Sequence, residues 1–331
     1  MNAVVQYGGG QTETGKVFVP PSTETFTHDA DGNLTADGRW TYSWDGENRL
    51  VQMIRDSDSP TGTRQKLVFE YDHQGRRIRK QSYTYNNGWQ EQTDTVFLYE
   101  GWNLIAELNA NAGNARVRTY LWGTDLSGSM QGAGGVRGLL KLTYYGTSTT
   151  NAFVAYDGNV NVTALIDAAN GSIRARYEYG PFAEPIRSSG QLSKLHPIRF
   201  STKYTDTGSG FLYYGYRYYN PSTGRWMTID PVGEAGAMNC FAFVLNQPVQ
   251  EFDVLGLADF PAEGGTGMPG LLLDRIPERS AGGWIQVEVT ARSLCVSGQK
   301  GEVHIQMCFL LSQTRRCINH ERRNGIDVVS A

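Results

Sequence analysis

Phe69-Glu-Tyr-Asp-His-Gln-Gly-Arg-Arg-Ile78 is a short aromatic strand, an Asp, a few polar residues with Gly, and a second strand that opens on Arg. Asp at the strand end caps a turn with its side chain and Gly supplies a positive φ, so the unit reads as a β-hairpin. Alternation agrees: Val68, Glu70 and Asp72 fall on one face, Phe69 and Tyr71 on the other. Degenerate copies recur at Thr41-Tyr-Ser-Trp-Asp-Gly-Glu-Asn-Arg-Leu50 and Ala155-Tyr-Asp-Gly-Asn-Val160, with a weaker one at Phe26-Thr-His-Asp-Ala-Asp-Gly-Asn-Leu34. Single hairpins are too small to stand alone, so neighbouring copies must stack into a continuous sheet.

Composition supports an all-β chain. In 331 residues there are 39 Gly, 18 Tyr, 13 Phe and 7 Trp, which supply many turns with aromatic strands between them. Apolar residues make up 40%, enough for a core, and charged residues 19%, too few for a disordered chain. With 30 Lys+Arg against 33 Asp+Glu, the net charge of −3 excludes a chain-wide nucleic-acid surface. No window is apolar enough to span a membrane, and the N-terminus has no basic-then-apolar secretory pattern. Four cysteines are too few for a disulfide scaffold.

The hairpins resemble the YD repeats of the rearrangement-hotspot (RHS) family, a unit shared with teneurins and the C component of insecticidal toxin complexes. A more specific block follows: Arg199-Phe-Ser-Thr-Lys-Tyr-Thr-Asp-Thr-Gly-Ser-Gly-Phe-Leu-Tyr-Tyr-Gly-Tyr-Arg-Tyr-Tyr-Asn-Pro-Ser-Thr-Gly-Arg-Trp-Met-Thr-Ile-Asp-Pro231, then Val232-Gly233, Asn246-Gln-Pro248 and Asp253-Val-Leu-Gly-Leu257. It is similar to the RHS-associated core. The expected organisation is an N-terminal segment (1–24), hairpin repeats (25–197), the core block (198–257), a Gly-rich linker (258–283) and a variable C-terminal segment (284–331). The resemblance implies hairpins curling as part of a cocoon-like shell around the chain's own C-terminal segment, the cargo. About 230 residues hold few repeats for such a shell, which points to a piece of a larger product or a displaced cassette.

In the resembling family the core is an aspartyl-protease-like site that cuts after the Leu of Asp-x-x-Gly-Leu. The matching residues are Asp230, in Asp-Pro-Val-Gly with Pro231 and Gly233, and Asp253, with cleavage between Leu257 and Ala258. Two carboxylates held close share a proton, so one serves as base toward water and the other as acid toward the carbonyl oxygen. Gly256 would let the backbone bend toward the pair. As ordinary turn sequences, the same residues would only cap turns. Family members often carry Pro at the position of Val254, and some carry Arg at that of Ile229; Arg225 is nearby but not equivalent. Both departures are expected to weaken cleavage.

The tail reads as a small ββα unit: strands Trp284–Val296 and Gly301–Leu311, then a helix over Gln313–Asn324. Such a helix sets Cys317 and His320 on one face, to join His304 and Cys308 of the strand as a candidate tetrahedral zinc site. A disulfide among Cys295, Cys308 and Cys317, or a half-buried Cys308 with solvent-facing histidines, competes with it. Arg315, Arg316, Arg322 and Arg323, spaced by seven, would form one helical face, either solvated or gripping nucleic acid. No other cofactor is expected.

Trp40, Trp44, Trp89, Trp102 and Trp122 are expected in the core rather than as carbohydrate platforms. Gly132–Gly138 lacks the Lys-Ser/Thr of a phosphate loop and reads as a flexible connection. The functional expectation is a self-cleaving toxin piece that delivers residues 258–331 outside the cell by a route without a signal peptide, cytoplasmic before delivery. Its partners would be the cargo, an immunity protein and a secretion-system component. The alternative is a non-catalytic surface or assembly module with an inert tail.

Overall fold

The computed structural model describes residues 23–55, 59, 63–233 and 238–257 with their side chains, and six further strands by backbone alone: Asn2–Tyr7, Gln11–Lys16, Asp259–Pro261, His304–Leu311, Thr314–Arg323 and Ile326–Ser330. The chain divides into two units, Met1–Thr266 and Gly267–Ala331. Among the described residues, no helix is long and apolar enough to cross a membrane.

The aspartate of each hairpin builds its turn. Asp72 Oδ1 accepts the N–H groups of Gln74 (2.9 Å) and Arg76 (3.0 Å), while Arg76 Nε donates to Oδ2 (2.8 Å). Asp45 does the same with Glu47 and Arg49, and Asp157 with Asn159 and Asn161, where the Asn161 side chain replaces the arginine. The residue four positions after the Asp is therefore Arg or Asn for a reason: its side chain satisfies the second carboxylate oxygen.

The aromatic residue ending a hairpin's first strand links that hairpin to its neighbour. Trp44 Nε1 donates to Leu34 O, Tyr71 Oη to Leu50 O, Trp122 Nε1 to Leu104 O, Tyr156 Oη to Leu139 O and Tyr179 Oη to Val162 O, each at 2.7 Å; Tyr99 Oη reaches Arg77 O at 3.1 Å. A register slip lies beside all six aromatics, at Ser43/Trp44, Glu70/Tyr71, Leu121/Trp122, Ala155/Tyr156 and Glu178/Tyr179, and opposite Tyr99 at Leu104/Ala106. A bulge re-aims the side chain at that point, and Tyr and Trp exchange because each carries an apolar body and one donor. Tyr156→Phe should therefore cost about 1–2 kcal/mol, the penalty for an unpaired carbonyl at a buried strand end, read from urea unfolding.

The strands follow one another in a fourteen-stranded antiparallel meander from Thr27–His28 to Pro185–Ser189. A second antiparallel sheet of four short strands, Tyr204–Thr205, Leu212–Tyr213, Tyr218–Asn220 and Arg225–Trp226, belongs to the core block. The fold is all-β, but the expected curled, cocoon-like shell is not what forms. The large sheet is open, and its two end strands pair on one side only. Closure would require those end strands to meet with matched tilt and stagger. Instead the core block covers the apolar face: Phe211, Tyr213, Tyr218 and Met227 pack with Trp40, Leu50, Met53, Leu67 and Phe69, and Ile198 packs with Phe97, Leu142 and Leu165.

Polar groups are buried at that junction as well. Asp206 of the core block takes Lys80 Nζ at 2.7 Å and Arg77 Nη1 at 3.2 Å, both from the strand Arg77–Tyr85. Burial alone would raise the Asp206 carboxyl, but the two cations outweigh it and hold it below its ordinary value. Gly132–Gly138 is not a flexible connection. Ala133 and Val136 are fully buried, and Asp125 Oδ2 accepts the N–H groups of Ala133 (2.7 Å) and Gly135 (3.1 Å).

In the second unit, the helix expected over Gln313–Asn324 is the strand Thr314–Arg323, paired on both sides in a three-stranded antiparallel sheet with His304–Leu311 and Ile326–Ser330. Ile318, Cys317 and Thr314 suit a strand, and Asn319 and His320 are poor helix formers. The seven-residue arginine spacing was not a helical signal. The expected strand Trp284–Val296 and most of the linker 258–283 lie outside the described residues.

Candidate active site

Asp253 ends the strand Glu251–Asp253 and is fully buried. Its Oδ1 accepts three consecutive N–H groups, from Leu255 (3.0 Å), Gly256 (2.5 Å) and Leu257 (3.1 Å). The carboxylate thus shapes the loop that leads to the candidate scissile bond. Leu257 is buried there, and Ala258 lies outside the described residues. Gly256 has φ +81°, and a Cβ on it would stand 3.2 Å from Arg217 N and 3.4 Å from Tyr214 Cβ. Gly256→Ala should cost about 1–3 kcal/mol through backbone strain and this close approach, measured by denaturant unfolding in an Asp230→Asn background.

Asp230 lies in the Asp-Pro-Val-Gly turn. Its Oδ1 accepts Val232 N–H (2.9 Å) and its carbonyl accepts Gly233 N–H (2.8 Å), with Gly233 at φ +64°. Pro231 and Gly233 therefore shape the turn that presents Asp230.

Arg217 joins the two aspartates. Its Nη2 lies 2.8 Å from Asp230 Oδ2 and 3.4 Å from Asp253 Oδ2. Nε donates to Gly256 O at 2.5 Å, Nη1 to Cys240 O at 3.3 Å, and the guanidinium stacks 4.1 Å from the Trp226 ring centroid. One arginine therefore touches both carboxylates and the peptide immediately before the candidate scissile bond. Burial pushes both aspartate carboxyls up, with Arg217 opposing the rise. Both carboxyls are thus harder to ionise than in water, although each lies against the same cation.

The sequence expectation looked for such an arginine beside Asp230. Ile229 stands there, against Gly32, while Arg225 is exposed. Arg217 was legible only as a charge inside the aromatic run Tyr-Gly-Tyr-Arg-Tyr-Tyr, where burial demands a partner.

The tail candidates lie on two paired strands. Cys308 pairs in register with Cys317, His304 with Glu321 and Ile305 with His320. The helical face expected to set Cys317 with His320, and to align the four arginines, does not form, because Thr314–Arg323 is a strand. Among the residues described with their side chains, which do not include the tail, no metal-binding group of three or more His, Cys, Asp or Glu occurs.

No protein-family model matches the chain. It is 28% identical over 236 residues to the tRNA3(Ser)-specific nuclease WapA of Bacillus spizizenii, covering 70% of this chain and 9% of that protein. It is 28% identical over 264 residues to the toxin protein Tse5 of Pseudomonas aeruginosa (70% and 18%), and 27% identical over 224 residues to the toxin subunit YenC2 of Yersinia entomophaga (68% and 20%). These relatives support assigning the chain to the RHS/YD-repeat family. In fold, this chain is similar to part of the TcdB2–TccC3 crystal structure, with a TM-score of 0.54 at 22% identity over 70% of this chain and 11% of that one. It spans between 9% and 20% of the length of the three curated relatives.

Proposed function

We propose that this chain is the C-terminal part of an RHS-type toxin that hydrolyses its own Leu257–Ala258 bond and so frees residues 258–331 as effector cargo. The observation that carries the reading is the Asp230–Arg217–Asp253 arrangement, buried beside the loop that ends at Leu257. In the step, one ionised carboxylate takes a proton from a water molecule while the water oxygen bonds the Leu257 carbonyl carbon. The protonated partner donates to the carbonyl oxygen. Collapse of the tetrahedral intermediate breaks the C–N bond, and the Ala258 nitrogen leaves with a proton as an amine. The chemistry needs one water and no metal or cofactor. Each molecule turns over once, because its substrate is its own chain.

Delivery to another cell and a matching immunity protein follow from the same reading. Intact mass of the purified chain tests cleavage, with two fragments meeting at Leu257/Ala258 as the expected result. Expression of residues 258–331 alone tests the cargo, with growth arrest expected. A whole chain and harmless expression would favour a surface or assembly module instead.

A further inference from the structure

Two unrelated parts of the chain converge on the Val254 peptide. From the core block comes Lys203, buried at the end of the turn Phe200–Thr202, whose ammonium donates to the Val254 carbonyl and lies 5.4 Å from the Tyr214 ring centroid. From the repeat region comes the turn at Gly134, with φ +55°. A Cβ there would stand 2.7 Å from Val254 Cγ1 and 3.0 Å from Val254 O. The two parts are tied together, since Arg137 N–H donates to Thr202 Oγ1 at 2.9 Å. Beside them, Trp102, Trp122, Tyr204, Tyr213, Tyr214 and Leu255 line a largely apolar cavity of about 60 Å³ that also reaches Lys203. A cation there has little water to solvate it, so its bond to one carbonyl is a strong constraint.

We propose that Lys203 is a positioning residue for the self-cleavage reaction: its ammonium and the Gly134 turn clamp the Val254 peptide, so the scissile loop is presented to the two aspartates only after the repeat sheet has docked on the core block. This rests on the self-cleavage reading. It gives the chain a means of withholding cleavage until the fold around the loop is complete, because one jaw of the clamp belongs to the sheet and the other to the block that covers it.

Burial lowers the Lys203 ammonium to about 8, against the pull of Asp253 and Asp125, the charged groups that act on it. The cavity tyrosines Tyr99, Tyr204, Tyr213 and Tyr214 are pushed up by burial and stay neutral through that range. The clamp is therefore charged below about pH 8 and loses its charge above it. Fold stability moves the other way. The unfolded chain binds more protons at this site between about 8 and 10.5, so the contribution of Lys203 to stability rises with pH there.

The test compares the wild type with Lys203→Met, following conversion to two fragments by intact mass from pH 6 to 9.5. The variant should cleave about 100-fold more slowly below pH 8, as expected for a misplaced reacting group. Above pH 8 the wild-type rate should fall toward that of the variant. Titration of the aspartates is common to both chains and cancels in the ratio. A ratio of one throughout, or a deficit that does not vary with pH, overturns the proposal, since a merely structural lysine would give a constant deficit.

A second comparison runs in uncut Asp230→Asn chains. There Lys203→Met should lower hydrogen-exchange protection of the Leu255–Leu257 amides about tenfold, with the sheet unaffected. Unchanged protection overturns the clamp. A wild-type chain that stays whole at every pH overturns the cleavage reading and the role assigned to Lys203 with it. The uncut-chain exchange separates that failure from failure of the clamp.

Discussion

Asp253→Asn should leave the purified chain in one piece, under conditions where the wild type separates into fragments meeting at Leu257/Ala258. Asn keeps an oxygen where Asp253 Oδ1 accepts the N–H groups of Leu255, Gly256 and Leu257, so the loop retains its shape. What it loses is a carboxyl able to take or give a proton in the proposed step. Losing a positioned acid or base slows such reactions by about 10²- to 10⁴-fold, enough to turn prompt conversion into none detectable within a day. Asp230→Asn should behave alike, because the proposed step needs both carboxyls. Asp253→Ala is the less informative change, since it also releases three buried N–H groups. Cleavage of Asp253→Asn at the wild-type rate would remove Asp253 from the chemistry and leave it as a turn cap.

Arg217→Met should destabilise the fold by about 3–5 kcal/mol, the usual result of removing one partner from a buried ionic cluster. Asp230 and Asp253 would remain desolvated without their cation, and the Gly256 and Cys240 carbonyls would lose a donor. Arg217→Lys should recover little. One ammonium does not reproduce a planar fork that meets two carboxylates, two carbonyls and the Trp226 ring.

The deficit should depend on pH. Both carboxyls already lie above their ordinary value of 3.8 in the fold, and removing Arg217 raises them further. A raised carboxyl contributes stability that is fully present below 3.8 and lost as pH rises through the folded value. Urea unfolding of Arg217→Met in an uncut Asp230→Asn background, where Asp253 alone carries the effect, should show a smaller deficit at pH 5 than at pH 8. An equal deficit at both would mean that Arg217 acts by packing on Trp226 rather than by charge.

Legibility in the sequence followed distance along the chain. The Asp72 turn is local: the residues two and four positions on supply its partners, so Tyr-Asp-His-Gln-Gly-Arg announces the hairpin. The two aspartates stood out because each sits in a short turn motif. Arg217 did not, since it meets Asp253 from thirty-six residues away and has no motif of its own beyond an arginine among tyrosines. Lys203, fifty-one residues from Val254, was still less visible. The tail went wrong for a related reason. A seven-residue spacing of arginines is compatible with one helical face, but pairing on both sides of Thr314–Arg323 satisfies that backbone as a strand.

By itself, then, the sequence determined the hairpins, their antiparallel order and the two acidic turns, because each depends on side chains bonding to backbone within a few residues. Tertiary structure alone decided that the sheet stays open, that the core block rather than curvature covers its apolar face, and that Arg217 and Lys203 converge on the loop ending at Leu257. Those outcomes depend on which buried surface and which desolvated charge find one another across the fold, and a pairing between distant residues leaves no spacing in the chain to read.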